Sequence, residues 1–333
     1  MRVTALAGGT GAAKLLRGLA RVIDPAELTV IGNTGDDATV WGLHVSPDLD
    51  TVTYALAGLL DVARGWGLAG ETFHCRDAMA ALGAETWFNL GDRDLATHVF
   101  RTRALRAGRS LSDVTAELGR RLGIGARVLP MSDDPVRTRI ETPDGWLDFQ
   151  EYFVREHAEP PVRAVAYVGA EVARPAPGVL EAIRDADLVL VCPSNPVTSV
   201  GPILGVPGVV DALAARPAVV GVSPIIGSAP VSGPAGALMR ARGLEVSAAG
   251  VAAAYAPWLR TLVVDSRDRD AVTAVAARGV RAVVADTLMT DRATEIALAR
   301  TVIEQSEAPE RAGGRAQRGT GAGGRSPGAR ESR

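Results

Sequence analysis

Four aspartates are the residues whose type and spacing most directly suggest chemistry. Asp36 and Asp37 come directly after a predicted strand. Asp48 and Asp50 stand two positions apart, and in an extended segment they would face the same side. Carboxylate oxygens suit Mg²⁺, which is commonly held by one or two carboxylates together with substrate phosphates. The cluster therefore indicates magnesium-assisted phosphate chemistry. The alternative is turn formation and helix capping, with Asp50 as the N-cap of a helix that begins at Thr51.

A glycine-rich turn at residues 8–11 follows the first predicted strand and opens a helix. Glycines allow close backbone approach, and the free N–H groups of a helix N-terminus favour a phosphate. The turn is not a Walker A loop, because Ala13-Lys14-Leu15 stands where Gly-Lys-Ser/Thr is required. Lys14, the only lysine of the chain, also occupies the third glycine position of the dinucleotide fingerprint. Two interpretations stay open: a phosphate site that includes Lys14, or a tight strand–helix connection with Lys14 on the helix surface.

Small and polar residues also follow other predicted strands. Asn33 follows the second strand, Pro193-Ser-Asn-Pro196 a later one, and Ser223-Pro-Ile-Ile-Gly227 the next. Ligands of parallel α/β sheets bind at the carboxyl ends of the strands. These loops are therefore expected to converge on one site with the glycine turn.

The segment Gly91-Asp-Arg-Asp-Leu-Ala-Thr-His98 concentrates polar and charged side chains at the start of a predicted helix. Arg93 and His98 suit an anionic or aromatic group of a substrate. The alternative is a solvated first helical turn that Asp92 caps.

Alternating apolar strands and amphipathic helices predict the elements that would position these residues. Strands are predicted over residues 3–7, 28–31, 164–168, 188–192, 219–222, 262–265 and 283–285. Strands 137–141 and 146–154 flank the hairpin turn Thr142-Pro-Asp-Gly145. Helices are predicted over 12–22, 51–63, 71–82, 95–107 and 111–122. The pattern predicts an α/β fold, with a doubly wound, mostly parallel (Rossmann-like) sheet and an inserted, mainly helical subdomain.

The domain organisation predicted from the sequence is a single α/β domain over residues 1–308. The helical and hairpin insertion spans about residues 51–160 and would cover an acceptor site. Residues 309–333 carry six arginines, two glutamates and seven glycines without an aromatic residue, which predicts a disordered Gly/Arg tail. Such tails can bind RNA, but a dispensable solvated extension is the favoured interpretation.

The overall composition excludes several classes of protein. The chain is 47% hydrophobic and 22% charged with a net charge of −2, which excludes global disorder and predicts no nucleic-acid or membrane partner. Cys75 and Cys192 are too few and too far apart for a disulfide-rich secreted protein, so a cytoplasmic location is expected. Uncharged stretches at 188–210 and 217–239 are too rich in Pro and Gly to be spanning helices. Neither a zinc signature nor a Gly-x-Ser-x-Gly elbow is present in the sequence.

Eight motifs, in this order, resemble those of the 2-phospho-L-lactate transferase family, whose bacterial members are phosphoenolpyruvate transferases of coenzyme F420 biosynthesis. They are GGTGAAKLLRGL from Gly8, NTGDD (33–37), GLHVSPDLDT (42–51), GDRDLATH (91–98), LPMSDDPVRT (129–138), FQEYFV (149–154), PSNPVTSVGPIL (193–204) and SPIIG (223–227). The resemblance covers about residues 1–300, and Ala12 stands where many members have a further glycine.

The resemblance implies a Mg²⁺-dependent transfer of a phosphoenolpyruvate or 2-phospho-L-lactate group. The donor is a guanylyl diphosphate that carries enolpyruvyl or lactyl on its distal phosphate. The terminal hydroxyl of the deazaflavin Fo attacks that phosphate, and GMP leaves. Because phosphoryl transfer needs mainly positioning and charge neutralisation, the residues above suit it. The resemblance also implies a homodimer.

The resemblance assigns roles residue by residue. The donor nucleotide and its phosphates would contact Gly8, Gly9, Thr10, Gly11, Lys14, Asn33, Ser194 and Asn195. Mg²⁺ would be held by Asp36, Asp48 and Asp37. Asp50 and Asp48 would be catalytic, and Fo would contact Asp50, Arg93, Thr97 and His98. Which aspartate touches the metal and which acts on the acceptor hydroxyl stays open.

Two other functions compete with the transferase. A non-catalytic, nucleotide-sugar-binding regulator of the same superfamily shares a similar glycine-rich start. A nicotinamide dehydrogenase rests only on the first strand–helix–strand unit, and the missing third glycine argues against it. The arginine-rich composition suggests an actinobacterial source, for which the resemblance implies the enolpyruvyl donor.

Overall fold

The computed structural model describes residues 1–306, so the predicted tail at 309–333 lies outside the described residues. The strands are β1 Val3–Ala7, β2 Leu28–Gly32, β3 Ala38–Val40, β4 Leu43–Val45, β5 Arg127–Pro130, β6 Arg137–Thr142, β7 Gly145–Asp148, β8 Ala164–Val168, β9 Leu188–Val191, β10 Val219–Val222, β11 Ile225–Ile226, β12 Ala229–Pro230, β13 Thr261–Asp265 and β14 Arg281–Ala285. The helices are α1 Gly9–Leu19, α2 Pro47–Leu56, α3 His74–Ala81, α4 Asp92–Arg106, α5 Leu111–Arg121, α6 Val179–Asp185, α7 Gly201–Gly205, α8 Val209–Ala214, α9 Ala235–Ala241, α10 Ala248–Tyr255, α11 Val272–Ala276 and α12 Arg292–Glu304.

The central sheet has seven strands in the order β14-β13-β10-β9-β1-β2-β5. Every neighbouring pair in it is parallel. The chain order reverses between β1 and β9, which makes this the topological switch point of the sheet. The predicted doubly wound, parallel α/β fold is therefore confirmed.

Two apolar cores, one on each face of the sheet, explain why the strands are almost continuously hydrophobic. Along β9, Val189 and Val191 pack into one core, whereas Leu188 and Leu190 pack into the other. Strands buried on both faces lose the polar alternation of a surface strand. The α1 helix covers one face with its buried leucines, and α12 packs directly against it.

The middle of the chain departs from the prediction. The strand predicted over 146–154 is wrong beyond Asp148, because Glu151–Arg155 forms a single π-helical turn. β8 pairs antiparallel with β6 in a separate three-stranded sheet instead of joining the parallel one. The central-sheet strand β5, which was not predicted, lies within the range 51–160 that the sequence assigns to an insertion. The insertion boundaries themselves stay a prediction.

Helix α2 begins earlier than predicted, and this changes the geometry of the aspartates. Its N-cap is Ser46 and Pro47 occupies its first turn, so Asp50 is not the N-cap. Proline suits that position because its missing N–H would have no intrahelical partner there. Ser110 caps α5 by accepting a hydrogen bond from Asp113 N. Among residues 1–306, no helix combines the length and the apolar character that crossing a membrane requires.

Candidate functional site

The loops after β1 and β9 meet at the switch point of the sheet. The Ser194 hydroxyl donates to the Gly8 carbonyl at 2.8 Å, and the Gly8 N–H lies 3.3 Å from the same hydroxyl oxygen. Asn195 caps the following turn, since its side-chain oxygen accepts from Val197 N at 3.0 Å. The contacts between Ser194 and Gly8 therefore hold the two loops against each other, and Asn195 fixes the shape of the second loop.

Glycine is required in the turn at 8–11 by close packing. A Cβ on Gly8 would lie 2.7 Å from Ser199 Cβ and still closer to the Asp48 carboxylate, and one on Gly11 would overlap the Pro193 carbonyl. Gly9 has φ +71°, a conformation that side chains other than glycine rarely adopt. Helix α1 starts here without a side-chain cap or an acidic residue in its own first turn, and the Asp48 carboxylate, which accepts a hydrogen bond from Gly9, lies at this positive end, as a negative charge is expected to.

Asp48, in the first turn of α2, points into this corner. Asn33 Nδ2 donates to Asp48 Oδ2 at 2.9 Å and to the Thr198 carbonyl at 3.1 Å. The Asn33 side-chain oxygen accepts from Gly35 N at 2.8 Å, so the amide group is fixed on every side. Burial is the main cause that raises the pKa of Asp48 to about 6. The Asp48 carboxylate is therefore desolvated, and no basic side chain compensates its charge.

Asp36 is a second buried aspartate whose pKa depends on the charge of Asp48. Burial, followed by the negative charge of Asp48, raises the pKa of Asp36 well above its usual value. Its Oδ1 atom is buried without a hydrogen-bond partner. A cavity of about 10 Å³ borders Asp36, and Phe149 and Gln150 also line it. That volume holds about one water molecule or ion.

Asp37 is turned towards different partners. Its Oδ2 lies 2.9 Å from His44 Nε2 and accepts from the Ser46 hydroxyl at 2.9 Å. Burial raises its pKa, and Arg137 donates to its backbone carbonyl at 2.7 Å. His44 and Ser46 were not predicted as site residues, although both lie inside the GLHVSPDLDT motif.

The expectation that Asp48 and Asp50 face one side together is wrong. Both lie in a helix, where residues two apart point in nearly opposite directions. The two carboxylate oxygens of Asp50 accept from the two terminal nitrogens of Arg101 on α4, with one contact at 3.0 Å. Arg101 is 2% exposed and was missed by the sequence analysis.

A wider network surrounds this ion pair. His98 Nδ1 lies 3.8 Å from Asp50, and His98 Nε2 lies 3.3 Å from Asp94. The Tyr54 hydroxyl donates to Asp94 at 2.6 Å. Burial of Asp94 is outweighed by its hydrogen bonds and by the charge of His98, which together lower its pKa. The helical spacing of Asp94, His98 and Arg101 was the signal in the sequence, because residues three and four apart share a helix face.

The remaining predicted residues lie further from this corner. Lys14 donates to the Met289 carbonyl at 3.1 Å, on the α12 side of α1. Arg93 is exposed and donates to the Ala69 carbonyl, while its backbone N–H donates to Glu71 at 2.5 Å. Thr97 is half-buried and His98 is 1% exposed. The structure thus brings together Gly8, Asn33, Asp36, Asp48 and Ser194. The roles of all the predicted residues stay predictions.

The chain is similar to a well-defined set of known proteins. The family model described as 2-phospho-L-lactate transferase CofD matches residues 3–304. A phosphoenolpyruvate transferase of Kitasatospora aureofaciens is 50% identical, over 92% of this chain and 98% of the relative. A 2-phospho-L-lactate transferase of Methanosarcina acetivorans is 48% identical, over 90% of this chain and 97% of the relative. A solved structure of a UPF0052-family protein from Bacillus halodurans shares the fold, with a TM-score of 0.63 at 19% identity over 91% of this chain and 98% of that one.

Proposed function

The chain belongs to the 2-phospho-L-lactate transferase (CofD) family of transferases, and from that premise we propose its reaction. It transfers a phosphoenolpyruvate or 2-phospho-L-lactate group from enolpyruvyl- or lactyl-diphospho-5′-guanosine to the terminal hydroxyl of Fo, and releases GMP. The observation that carries the proposal is the buried pair Asp36 and Asp48, beside the glycine turn at the switch point of the sheet. The regulator and dehydrogenase alternatives gain no support from this family.

The donor diphosphate would lie over the start of α1. The uncapped helix N-terminus supplies N–H groups and a positive dipole end for its charge. Ser194 and Asn195 close the opposite side of the switch point, where nucleotides bind in doubly wound folds.

Magnesium fits the residues present. Asp36 has a buried carboxylate oxygen without a partner, and the mutual repulsion of Asp36 and Asp48 would be relieved by a cation. Among residues 1–306, no group of three or more His, Cys, Asp or Glu side chains is arranged to hold a metal ion. Two carboxylates are nevertheless a common protein contribution to Mg²⁺ sites, which substrate phosphates then complete. When bound, Mg²⁺ would neutralise the charge that develops on the transferred phosphate.

The enolpyruvyl donor is our first choice of substrate. A relative named phosphoenolpyruvate transferase is 50% identical, and the arginine-rich composition agrees with an actinobacterial source. A relative named 2-phospho-L-lactate transferase is 48% identical, so the lactyl donor is the second candidate. Homodimer formation and a cytoplasmic location also remain predictions.

The decisive experiment incubates the full chain with Fo, Mg²⁺ and each guanylyl donor in turn. We expect GMP and a more anionic deazaflavin product, because the transfer adds a phosphodiester and a carboxylate. Mass spectrometry of the product distinguishes the donors, since enolpyruvyl carries two hydrogens fewer than lactyl. Failure to form product with either donor would overturn the proposal.

A further inference from the structure

The ion pair between Asp50 and Arg101 divides the acidic residues of the site into two groups. Asp36 and Asp48 are buried without a basic partner, and burial raises the pKa of each. Asp50 instead has both carboxylate oxygens occupied by one guanidinium group. A bidentate arginine–carboxylate pair fixes the orientation of both partners and is among the stronger hydrogen-bonded pairs in proteins.

We propose that Arg101 is a positioning residue that holds Asp50 in place for the acceptor and keeps it out of the divalent-cation site. The inference rests on the proposed function, and it adds a residue that none of the motifs noted in the sequence contains. Arg101 extends from α4, the helix whose N-cap and first two turns form the GDRDLATH segment, to α2, which carries Asp48 and Asp50.

The surroundings of Arg101 show that its position is fixed. Its side chain is 2% exposed, and its Nη1 atom also lies 3.4 Å from His98 Nδ1 and 3.5 Å from the His44 carbonyl. One turn earlier on the same helix, His98 stands between Asp50 and Asp94. Tyr54 follows Asp50 by one turn of α2 and donates to Asp94, so the two helices are joined at two levels.

The charge of Arg101 has a direct consequence for metal binding. With Arg101 present, the charge of Asp50 is neutralised and both of its carboxylate oxygens are held by the guanidinium group, which weakens their attraction for a cation. Without it, an additional negative charge would stand in a buried region that already contains Asp36 and Asp48. Coulomb's law at short range and reduced dielectric then predicts stronger attraction for a divalent cation.

The test is a double-mutant cycle with Arg101→Gln, Asp50→Asn and the variant that carries both changes. The matched control is Arg103→Gln, an exposed arginine on the same helix. For Arg101→Gln we expect kcat to fall about 100-fold with little change in the KM of the donor, as is typical for loss of a preorganised charge. Arg101→Lys keeps the charge but not the bidentate geometry and should lose about 10-fold. On the Asp50→Asn background, Arg101→Gln should cost no further activity, because the positioned group is already gone.

A second measurement needs no substrate. Calorimetric titration of the free protein with Mg²⁺, and with Mn²⁺ as a second probe, should show about 5- to 10-fold tighter binding in Arg101→Gln than in the wild type. The double variant, which again has no unpaired charge, should return to the wild-type affinity. Thermal unfolding of each variant checks the fold. Where Arg101→Gln alone is unstable because Asp50 is left unpaired, the double variant has no unpaired charge and can still be compared with Asp50→Asn.

Two results would overturn the inference. One is full activity in the folded double variant, which would make the pair purely structural. The other is a wild-type cation affinity in folded Arg101→Gln or, where Arg101→Gln does not fold, a double variant that is clearly less active than Asp50→Asn. Absence of transfer in the wild type would instead refute the proposed function, while the cation titration would still decide whether Arg101 isolates Asp50.

Discussion

Asp48 and Asp50 lie two residues apart in α2, yet their surroundings are opposite. Asp48 faces the glycine turn, with an amide group and a second carboxylate nearby, and burial raises its pKa to about 6. Asp50 faces α4, where Arg101 neutralises it. A helix turns by about 100° per residue, so neighbouring acidic residues of one motif can serve different sides of a site. The difference teaches that two acidic residues of one short motif can have opposite electrostatic surroundings, and it predicts that Asp48 and Asp50 act separately instead of as one chelating pair.

The largest expected effect comes from removing the charge on each aspartate separately. Asp48→Asn and Asp50→Asn should each lower kcat by roughly 100-fold or more, which corresponds to about 2.7 kcal/mol of transition-state stabilisation. Of these two variants, only Asp48→Asn should also abolish Mg²⁺ binding to the free protein, because Asp50 is paired with Arg101 whereas Asp48 has no basic partner. Kinetics and calorimetry on both variants measure the two effects.

Asp144→Asn is the control for this pair of variants, since Asp144 is exposed in the turn between β6 and β7. It should match the wild type in both measurements. Equal loss of Mg²⁺ binding in Asp48→Asn and Asp50→Asn would erase the proposed difference between the two carboxylates.

A smaller effect is expected from crowding Asp48 without changing its charge. The new methyl group of Gly8→Ala would press on Ser199 Cβ and on the Asp48 carboxylate. We expect about 10-fold weaker Mg²⁺ binding and a free energy of unfolding lower by about 1–3 kcal/mol, as is usual for overpacking. Chemical denaturation and calorimetry provide the two numbers, and the ion pair on the Asp50 side should not be affected.

Gly119→Ala is the matched control, because among residues 1–306 no heavy atom other than those of its own helix backbone and chain neighbours lies within 4 Å of the position that its Cβ would take. It lies within α5 and should raise stability by about 0.5–1 kcal/mol. Wild-type Mg²⁺ affinity in Gly8→Ala would show that the packing of the glycine turn against Asp48 does not affect cation binding.

Much of the scaffold was predictable, because its signals are local. The apolar runs of β1, β9 and β10 and the glycine turn between β1 and α1 follow from residues that are adjacent in sequence. The strand β5 was missed because it begins with the exposed Arg127 and ends with Pro130, so its apolar run is only Val128 and Leu129. The assumption that 146–154 is one strand failed because aromatic residues have high strand propensity, whereas tertiary packing selects a π-helical turn there.

Most residues that meet at this corner could be identified from the sequence, but their side-chain partners could not. Asn33, Asp36 and Ser194 were identified from strand-end positions, which the topology brings together, and Asp48 from the acidic segment before a predicted helix. The partner of Asp50 is 51 residues away on another helix, and only the packing of α2 against α4 reveals it. The direction of each aspartate depended on the helix start at Pro47, which the sequence placed four residues too late.

The smallest effect that separates the two carboxylates is a pH dependence of stability. The pKa of Asp48 rises from an ordinary 3.8 to about 6 on folding, so the neutral carboxyl is favoured in the folded state. Its contribution to stability is complete below the unfolded value and is lost as the pH rises through about 6. Between about pH 5 and about pH 7, without divalent cations, this group alone should lower the free energy of unfolding by on the order of 1 kcal/mol. Urea denaturation at the two pH values measures the change.

The control is Asp48→Asn, which has no group to titrate at this position. Its free energy of unfolding should fall less over the same pH interval, by that amount, and Asp144→Asn should behave as the wild type. Mg²⁺ should reverse the trend, since it binds the ionised form. An identical pH dependence in the wild type and in Asp48→Asn would show that the Asp48 carboxyl is not the group that titrates.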